Sequence, residues 1–308
     1  MQSMKNNLDL NDFEHPEHEL DIKELLKVLW GGKKIIIALT TLFSIVAVSY
    51  SLQLPNIYTS TALLSPAGQE TSTAGSMGGI GGLANLAGIS LSAQSTGNSA
   101  KALTKVKTLS FYKENILPNI FLPDLVALES WDSQNNIISY ASNKFYDAES
   151  KTILKTASPQ TTYKKFMKIV TFSKDVNNGF ITISVKHQSP YIAKEWTEII
   201  VDQLNQFFRT QDKRQAEVSM NFLNAQIAQT SYTEIKNIIA ELLKQEIQQL
   251  TLIEANDFYV FSYLDPPIVK EEKSEPTRSS ISILGAVFGF MFSILIVLFK
   301  NYISVRKL

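Results

Sequence analysis

The sequence predicts an α+β membrane protein in which two transmembrane helices flank a base domain with a projecting antiparallel helical hairpin. Three observations support this fold class. Uncharged apolar runs lie near both ends of the 308-residue chain, at 35–54 and 281–299. Short β-rich and helical patterns alternate across the base, residues 55–188. Two long amphipathic patterns then follow each other across residues 189–256, which predicts the hairpin.

The composition excludes several classes of protein. The 29 basic and 29 acidic residues give a formal net charge of zero, so we expect no nucleic-acid partner. The chain has no cysteine, which excludes disulfides, zinc–cysteine sites, iron–sulfur clusters and thiol nucleophiles.

The two apolar runs are interpreted as membrane spans. Residues 35–54 read IIIALTTLFSIVAVSYSLQL, and residues 281–299 read ISILGAVFGFMFSILIVLF. Each is uncharged and long enough for a hydrocarbon core of roughly 30 Å. A buried core helix is the alternative for both runs, although soluble helices rarely lack all charge over this length. The first run follows an acidic tail and has no clear cleavage site, so we interpret it as an uncleaved anchor rather than a signal peptide.

Lysine placement predicts the orientation of the spans. Four lysines precede the first span (Lys23, Lys27, Lys33 and Lys34), and no basic residue follows it before Lys101. The positive-inside rule then places both termini in the cytoplasm and residues 55–280 in the periplasm of a two-pass inner-membrane protein. The cytoplasmic tails would be residues 1–34, which end in a short interfacial helix, and residues 300–308. Both tails are too short for a kinase or ATPase domain.

The base is expected to combine strands with a glycine-rich loop. Ile57–Ser65 reads as a strand, residues 67–100 form the glycine-rich loop, and Lys101–Leu117 has helical spacing. Asn178-Gly179 lies between two β-rich runs, which predicts a hairpin.

The hairpin arm is expected to begin with Ser189 as the N-cap and Pro190 at the first helical position. Its first helix would have about 40 residues and a length of roughly 60 Å. A capping box at Ser231-x-x-Glu234 predicts the start of the second helix. The residues predicted to face inward from this helix are Ile235, Ile238, Ile239, Leu242, Leu243, Leu250 and Ile253.

Residues 257–280 predict a final strand and an extended linker. The linker prolines are Pro266, Pro267 and Pro276, which keep the chain out of helix, and a plain connection into the membrane explains them adequately. The second span contains Gly285-x-x-x-Gly289, a spacing that lets two membrane helices approach closely. We interpret it as a packing face used in oligomerisation, with chance in a glycine-tolerant helix as the alternative.

No catalytic, cofactor-binding or metal-binding residue is predicted. Gly79-x-Gly81-x-x-Ala84 fits a loose dinucleotide pattern, but no strand precedes it and the next acid is Glu114. His187 is interpreted as an ordinary strand histidine. His15-Pro-Glu-His18 is interpreted as part of a solvated acidic tail rather than a metal site. The residues assigned to a membrane-proximal loop are Gly79, Gly81, Gly82, Leu83 and Leu86.

The order of several phrases resembles one family across nearly the whole chain. These phrases are DIKELLKVLWGGKKIIIALTTLFSIVAV, IYTSTALL, GGIGGLANLAGISL, SPYIAKEWTEIIVDQLNQF, TSYTEIKNIIAELLKQEIQQ and YLDPPIVKEEKSEPTRSS. Together they resemble the chain-length determinant proteins, the Wzz-type polysaccharide co-polymerases. No single phrase is decisive, and the joint order carries the resemblance.

The resemblance implies a non-enzymatic inner-membrane protein that forms homo-oligomeric rings. Such proteins work with a separate membrane polysaccharide polymerase and set the length of O-antigen or a related lipopolysaccharide glycan. The glycine-rich loop would then touch lipid, glycan, polymerase or a neighbouring subunit. One alternative is an exopolysaccharide or capsule export co-polymerase that works with a separately encoded tyrosine kinase. Another is a membrane-anchored periplasmic sensor or adaptor.

Overall fold

The computed structural model describes residues 22–67, 99–255 and 258–305. The chain divides into two compact units. The first joins Met1–Leu54 to Thr277–Leu308, and the second is Pro55–Pro276. The loop residues between Gly79 and Leu86, and the histidines of the N-terminal tail, lie outside the described residues.

The first unit is helical. It contains α1 (Ile22–Gly31), α2 (Lys33–Gln53) and α8 (Arg278–Val305), and α2 packs along α8. Both α2 and α8 are long and apolar enough to cross a membrane. Few side chains in their apolar windows are buried, unlike those of a core helix in a soluble domain.

The second unit mixes helices and strands. Its strands are β1 (Tyr58–Pro66), β2 (Leu128–Asp132), β3 (Ile137–Tyr140), β4 (Tyr146–Asp147), β5 (Thr152–Ile153), β6 (Val170–Lys174), β7 (Ile181–His187) and β8 (Phe261–Asp265). Its helices are α3 (Leu109–Phe111), α4 (Leu122–Val126), α5 (Pro159–Ile169), α6 (Pro190–Gln229) and α7 (Thr233–Ala255).

An antiparallel sheet organises this unit, with strand order β6-β7-β1-β8. The register places Tyr58 opposite His187 and Leu64 opposite Ile181. The inward residues of β1 and β7 alternate with outward ones, and their buried face packs against α6. The core of the unit is therefore the contact between this sheet and the first half of α6, where Trp196 is almost fully buried.

The hairpin predicted at Asn178-Gly179 joins β6 to β7. Gly179 has φ 74°, a left-handed conformation that glycine adopts without steric cost. The stretch after Phe121 forms α4 and two short hairpins, β2–β3 and β4–β5. A small second core beneath them contains Val126, Ala127, Phe145 and Tyr146.

The helix predicted over residues 101–117 is interrupted. Residues 99–105 are helical, and a second helical stretch begins with α3. The Thr108 hydroxyl accepts a hydrogen bond from the Phe111 backbone N–H at 3.2 Å and so caps α3. A threonine that caps a new helix competes with continuation of the old one, which explains the break.

Two details at the starts of α6 and α7 differ from the sequence prediction. Helix α6 begins at Pro190, but the Ser189 side chain does not cap it. The Ser189 backbone N–H instead donates to His187 Nδ1 at 3.0 Å. Helix α7 begins at Thr233, one residue later than the predicted capping box places it.

Candidate functional site

Close packing between α2 and α8 depends on glycine. A Cβ atom added at Gly289 would lie 2.6 Å from Phe43 Cβ, and one added at Gly285 would overlap Ala47 Cβ. At the other end of the pair, a Cβ atom on Gly32 would lie 2.5 Å from Val297. The small-residue face predicted at Gly285 and Gly289 is thus covered by α2 of the same chain. Its use in contacts between copies of the protein stays a prediction.

Aromatic rings continue this helix contact. Phe43 makes edge contacts with Phe288 and Phe292, with ring centroids 6.1 and 5.8 Å apart. Ser44 and Ser293 satisfy their hydroxyls on backbone carbonyls of their own helices, at 2.8 and 2.7 Å. The seam between the helices is therefore held by van der Waals packing, which is the main source of helix association in lipid.

The proline-rich linker is bonded to the sheet along β1. Ser60 Oγ donates to the Ile268 carbonyl at 3.0 Å, and the Ile57 N–H donates to the Glu275 carbonyl at 2.9 Å. Lys186 adds an ion pair to Glu275 at 2.6 Å, with both side chains partly exposed. The linker therefore continues the path of β8 beside β1, a role that its proline pattern alone did not reveal.

The predicted linker prolines lie within this bonded stretch. Pro266 follows β8 directly and is exposed, whereas Pro267 is buried. Pro276 follows Glu275, which pairs with Ile57 just before β1. Because proline has no backbone N–H, it leaves no donor unpaired where the chain departs from the ladder.

The two arm helices run in opposite directions. A loop of three residues joins them, and the far end of α7 returns to the middle of α6. Arg209 Nε donates to the Ile253 carbonyl at 3.0 Å, and Lys213 pairs with Glu254 at 2.5 Å. These cations lie at the C-terminal end of α7, where they complement the helix dipole and its unpaired carbonyls.

The Lys213–Glu254 pair shifts both groups in the expected directions. The hydrogen bond and charge of Lys213 lower the pKa of Glu254, and Glu254 raises the pKa of Lys213. Both groups are exposed, so the pair adds little to stability. Beside it, the Tyr259 hydroxyl donates to Asp212 at 2.7 Å, and burial raises the pKa of Tyr259.

Several side chains predicted to face inward from α7 are instead exposed. Ile239 and Ile253 are buried as expected, 7% and 1% exposed. Ile235, Ile238 and Leu242 are 44%, 61% and 43% exposed. The physical reason is that, among the described residues, α6 makes the extensive helix contact with α7, and it covers a narrower stripe than the apolar pattern provides.

Phe222 of α6 belongs to the same exposed surface. It is 61% exposed and precedes Leu223, whose side chain is partly buried; Ile238 likewise precedes the buried Ile239. Phe222 and Ile238 each precede by one residue a side chain at the α6–α7 contact, so each is rotated by about 100° away from that contact. Because the two helices are antiparallel, equal rotations away from their contact place both side chains on the same side of the helix pair. We call this surface the arm patch; it contains Phe222, Ile235, Ile238 and Leu242.

His187 has a structural environment. Its Nδ1 accepts from the Ser189 N–H, so its Nε2 carries the proton and donates to the Asp124 carbonyl at 3.2 Å. Its ring lies against Trp196, with centroids 5.5 Å apart. Burial lowers the pKa of His187, which favours the neutral ring.

The side chain of Asp124, whose backbone carbonyl accepts from His187, is itself engaged. The Tyr140 hydroxyl donates to Asp124 Oδ1 at 2.6 Å. Burial raises the pKa of Asp124, and the hydrogen bond from Tyr140 opposes that shift. Both ring nitrogens of His187 are therefore bonded to backbone groups, and this carboxylate does not orient the ring. Within the described ranges, no group of three or more His, Asp or Glu side chains is placed to hold a metal ion.

The candidate site is thus a set of packing surfaces. They belong to a protein with two membrane-length helices and, between these helices in the sequence, a mixed helix/sheet unit. Residues 18–114 match the family model described as Wzz, chain length determinant protein. This match confirms the resemblance seen in the sequence over the N-terminal part of the chain. No curated protein matches the chain.

A solved structure described as a full-length bacterial polysaccharide co-polymerase is also similar. The alignment covers 93% of this chain and 99% of that chain, with 15% sequence identity and a TM-score of 0.42. Similarity of this degree adds no weight to a functional argument.

Proposed function

We propose that this protein is a non-enzymatic, homo-oligomeric regulator of polysaccharide chain length that acts with a separate membrane polymerase. O-antigen or a related lipopolysaccharide glycan is the proposed polymer. The observation that carries the proposal is the match of residues 18–114 to the chain length determinant family. The two membrane-length helices on either side of Pro55–Pro276 support the same conclusion.

In this proposal α2 and α8 cross the bacterial inner membrane, with both termini in the cytoplasm and Pro55–Pro276 in the periplasm. The lysines before α2 support that orientation. Because the chain has no cysteine, single cysteines can report it directly. Val176→Cys, at a position 94% exposed, should react with a membrane-impermeant maleimide in spheroplasts, whereas Tyr302→Cys should react only after lysis. The reverse pattern would exclude this topology.

The arm patch supports homo-oligomerisation. Four large apolar side chains on one side of a helix pair are 43% to 61% exposed, and such a cluster in water marks an interaction surface. We propose that a second copy of the chain covers it, with the arm projecting from the base into the ring wall. Phe222→Ser with Ile238→Ser should reduce the cross-linked oligomer, whereas Val176→Ser, an equally apolar exposed position at the β6–β7 turn, should not.

The glycan ladder of a deletion strain tests the function. Complementation with the wild-type gene should restore a modal length, and complementation with the paired arm-patch variant should leave the distribution broad. Val176→Ser is the matched control and should restore the wild-type ladder. An unchanged ladder after deletion of the gene would contradict the proposed function.

The proposed role of the membrane helices is to form the surface that meets the polymerase, with Gly285 and Gly289 holding the pair closed. The glycine-rich loop, including Gly79, Gly81 and Leu86, remains a proposed contact with lipid, glycan, polymerase or a neighbouring subunit. A photo-crosslinking residue in place of Leu86 would identify which of them it touches.

A further inference from the structure

A second cluster of partly exposed aromatic residues lies at the start of β1. The Trp131 ring contacts the Tyr58 ring at 5.4 Å and lies 6.4 Å from the Tyr191 ring. The indole N–H donates to Asn136 Oδ1 at 2.8 Å, so the ring is fixed in orientation. Tyr191 is 49% exposed, and Trp131 is partly exposed.

The chain itself limits how far this cluster lies from the membrane helices. Four residues lie between Gln53, the end of α2, and Tyr58, so the five Cα–Cα steps reach at most about 18 Å. On the returning segment, two residues lie between Glu275 and the start of α8 at Arg278, so the three Cα–Cα steps reach at most about 11 Å. Both connections leave from the same point, because Ile57 is bonded to Glu275.

The chemistry of the cluster suits a bilayer surface. Tryptophan and tyrosine concentrate at the level of lipid headgroups because their rings combine an apolar body with a polar edge. The exposed Lys273 lies beside Asn56 at the same end of the sheet, 3.4 Å between Nζ and Oδ1, where it can reach lipid phosphates. Val176, which is 94% exposed in the β6–β7 turn, lies at the opposite end of β7.

We infer that the surface formed by Trp131 and Tyr191 docks on the lipid headgroup layer of the membrane that α2 and α8 cross. This interfacial surface holds the base against the bilayer through the β2–β3 hairpin. It is separate from the arm patch and from the contact between α2 and α8. The inference rests on the membrane topology given under the proposed function and is independent of whether the protein sets chain length.

Tryptophan quenching tests the inference on the full chain. Of the three tryptophans, Trp196 is 1% exposed and serves as an internal unquenched reference. Trp30 lies beside α2 and is removed with Trp30→Phe. That protein is reconstituted in phosphatidylcholine vesicles whose acyl chains are either brominated near the headgroup or unmodified. The same pair of measurements is made on Trp30→Phe with Trp131→Phe, which keeps an aromatic ring in place.

The brominated lipid should reduce the emission of the protein that contains Trp131 and should not change that of the protein containing only Trp196. Tyr191→Ser should weaken the quenching of Trp131, whereas Val176→Ser should leave it intact. Equal quenching with and without Trp131 would overturn the inference and leave a protein partner as the cover for this surface. That outcome would not affect the glycan ladder, so the two proposals fail separately.

Discussion

Replacement of Asn205 by alanine should detach the start of β8 from helix α6. The Asn205 carboxamide oxygen accepts from the Val260 and Phe261 backbone N–H groups at 2.8 and 2.9 Å. Its amide donates to the Phe261 carbonyl at 3.0 Å. Val260 and Phe261 are fully buried, and Asn205 is 6% exposed, so water does not replace these bonds without local opening.

The magnitude follows from the number of groups left unpaired. Each buried polar group without a partner costs about 1–3 kcal/mol. The variant leaves the Val260 and Phe261 N–H donors and the Phe261 carbonyl without Asn205. The two donors alone give an expected loss of about 2–6 kcal/mol in the free energy of unfolding of Pro55–Pro276. For a unit of this size, each kcal/mol lowers Tm by roughly 2–4 °C. The expected decrease is therefore at least about 4 °C.

The assay is thermal or urea unfolding of the full-length protein in detergent, followed by the emission of the buried Trp196. Gln206→Ala is the matched control, because Gln206 is the next residue of α6 and is exposed. It should change the free energy of unfolding by less than about 0.5 kcal/mol. If Asn205→Ala costs no more than Gln206→Ala, the three hydrogen bonds do not hold β8 as described.

Two further predictions concern the membrane helices and the response to pH. Gly289→Leu should disrupt the pairing of α2 with α8, because the added side chain would overlap Phe43. Gly31→Leu is the control and should not disrupt the pairing, because no described atom lies within 4 Å of a Cβ there. The aggregation temperature in detergent measures the effect of both variants. Because burial lowers the folded-state pKa of His187, its contribution to stability is present above its ordinary pKa of 6.5 and is lost as pH falls towards the lower folded-state value. Unfolding midpoints should therefore decrease from pH 7 to pH 5.5, less steeply in His187→Gln; Asp124, whose pKa is raised, acts in the opposite direction at lower pH.

The sequence predicted the elements in which a single packing partner accounts for the spacing of the apolar residues. The β-rich run after Asn178-Gly179 predicted β7, and the pattern from Pro190 onward predicted a helix of about 40 residues, which is the length of α6. The sequence did not predict that Ile238 is exposed. An apolar stripe on a helix indicates that something packs against it, but it does not identify whether the partner is the same chain or another molecule. For the same reason Gly285 and Gly289 indicated a close helix contact without identifying the helix.

Features that depend on residues far apart in sequence were not accessible to pattern reasoning. The bond from Ser60 to the Ile268 carbonyl joins residues 208 positions apart, and neither residue carries a local signal for the other. The same holds for Asn205, which is an ordinary polar residue within the helical pattern of α6. Its partners become clear only when β8 is placed beside it.

The pairing of Ile57 with Glu275 also makes Pro55–Pro276 an insertion whose two ends meet. Domains with adjacent termini tolerate transplantation and circular permutation, because closing the ends requires only a short bridge. A few residues linking Ile57 to Glu275 would yield a closed unit from which the membrane helices are removed, with new termini opened at the exposed turn around Val176. Because the two junctions are neighbours, this unit could also be exchanged between related chains as a single piece, joined at those two positions.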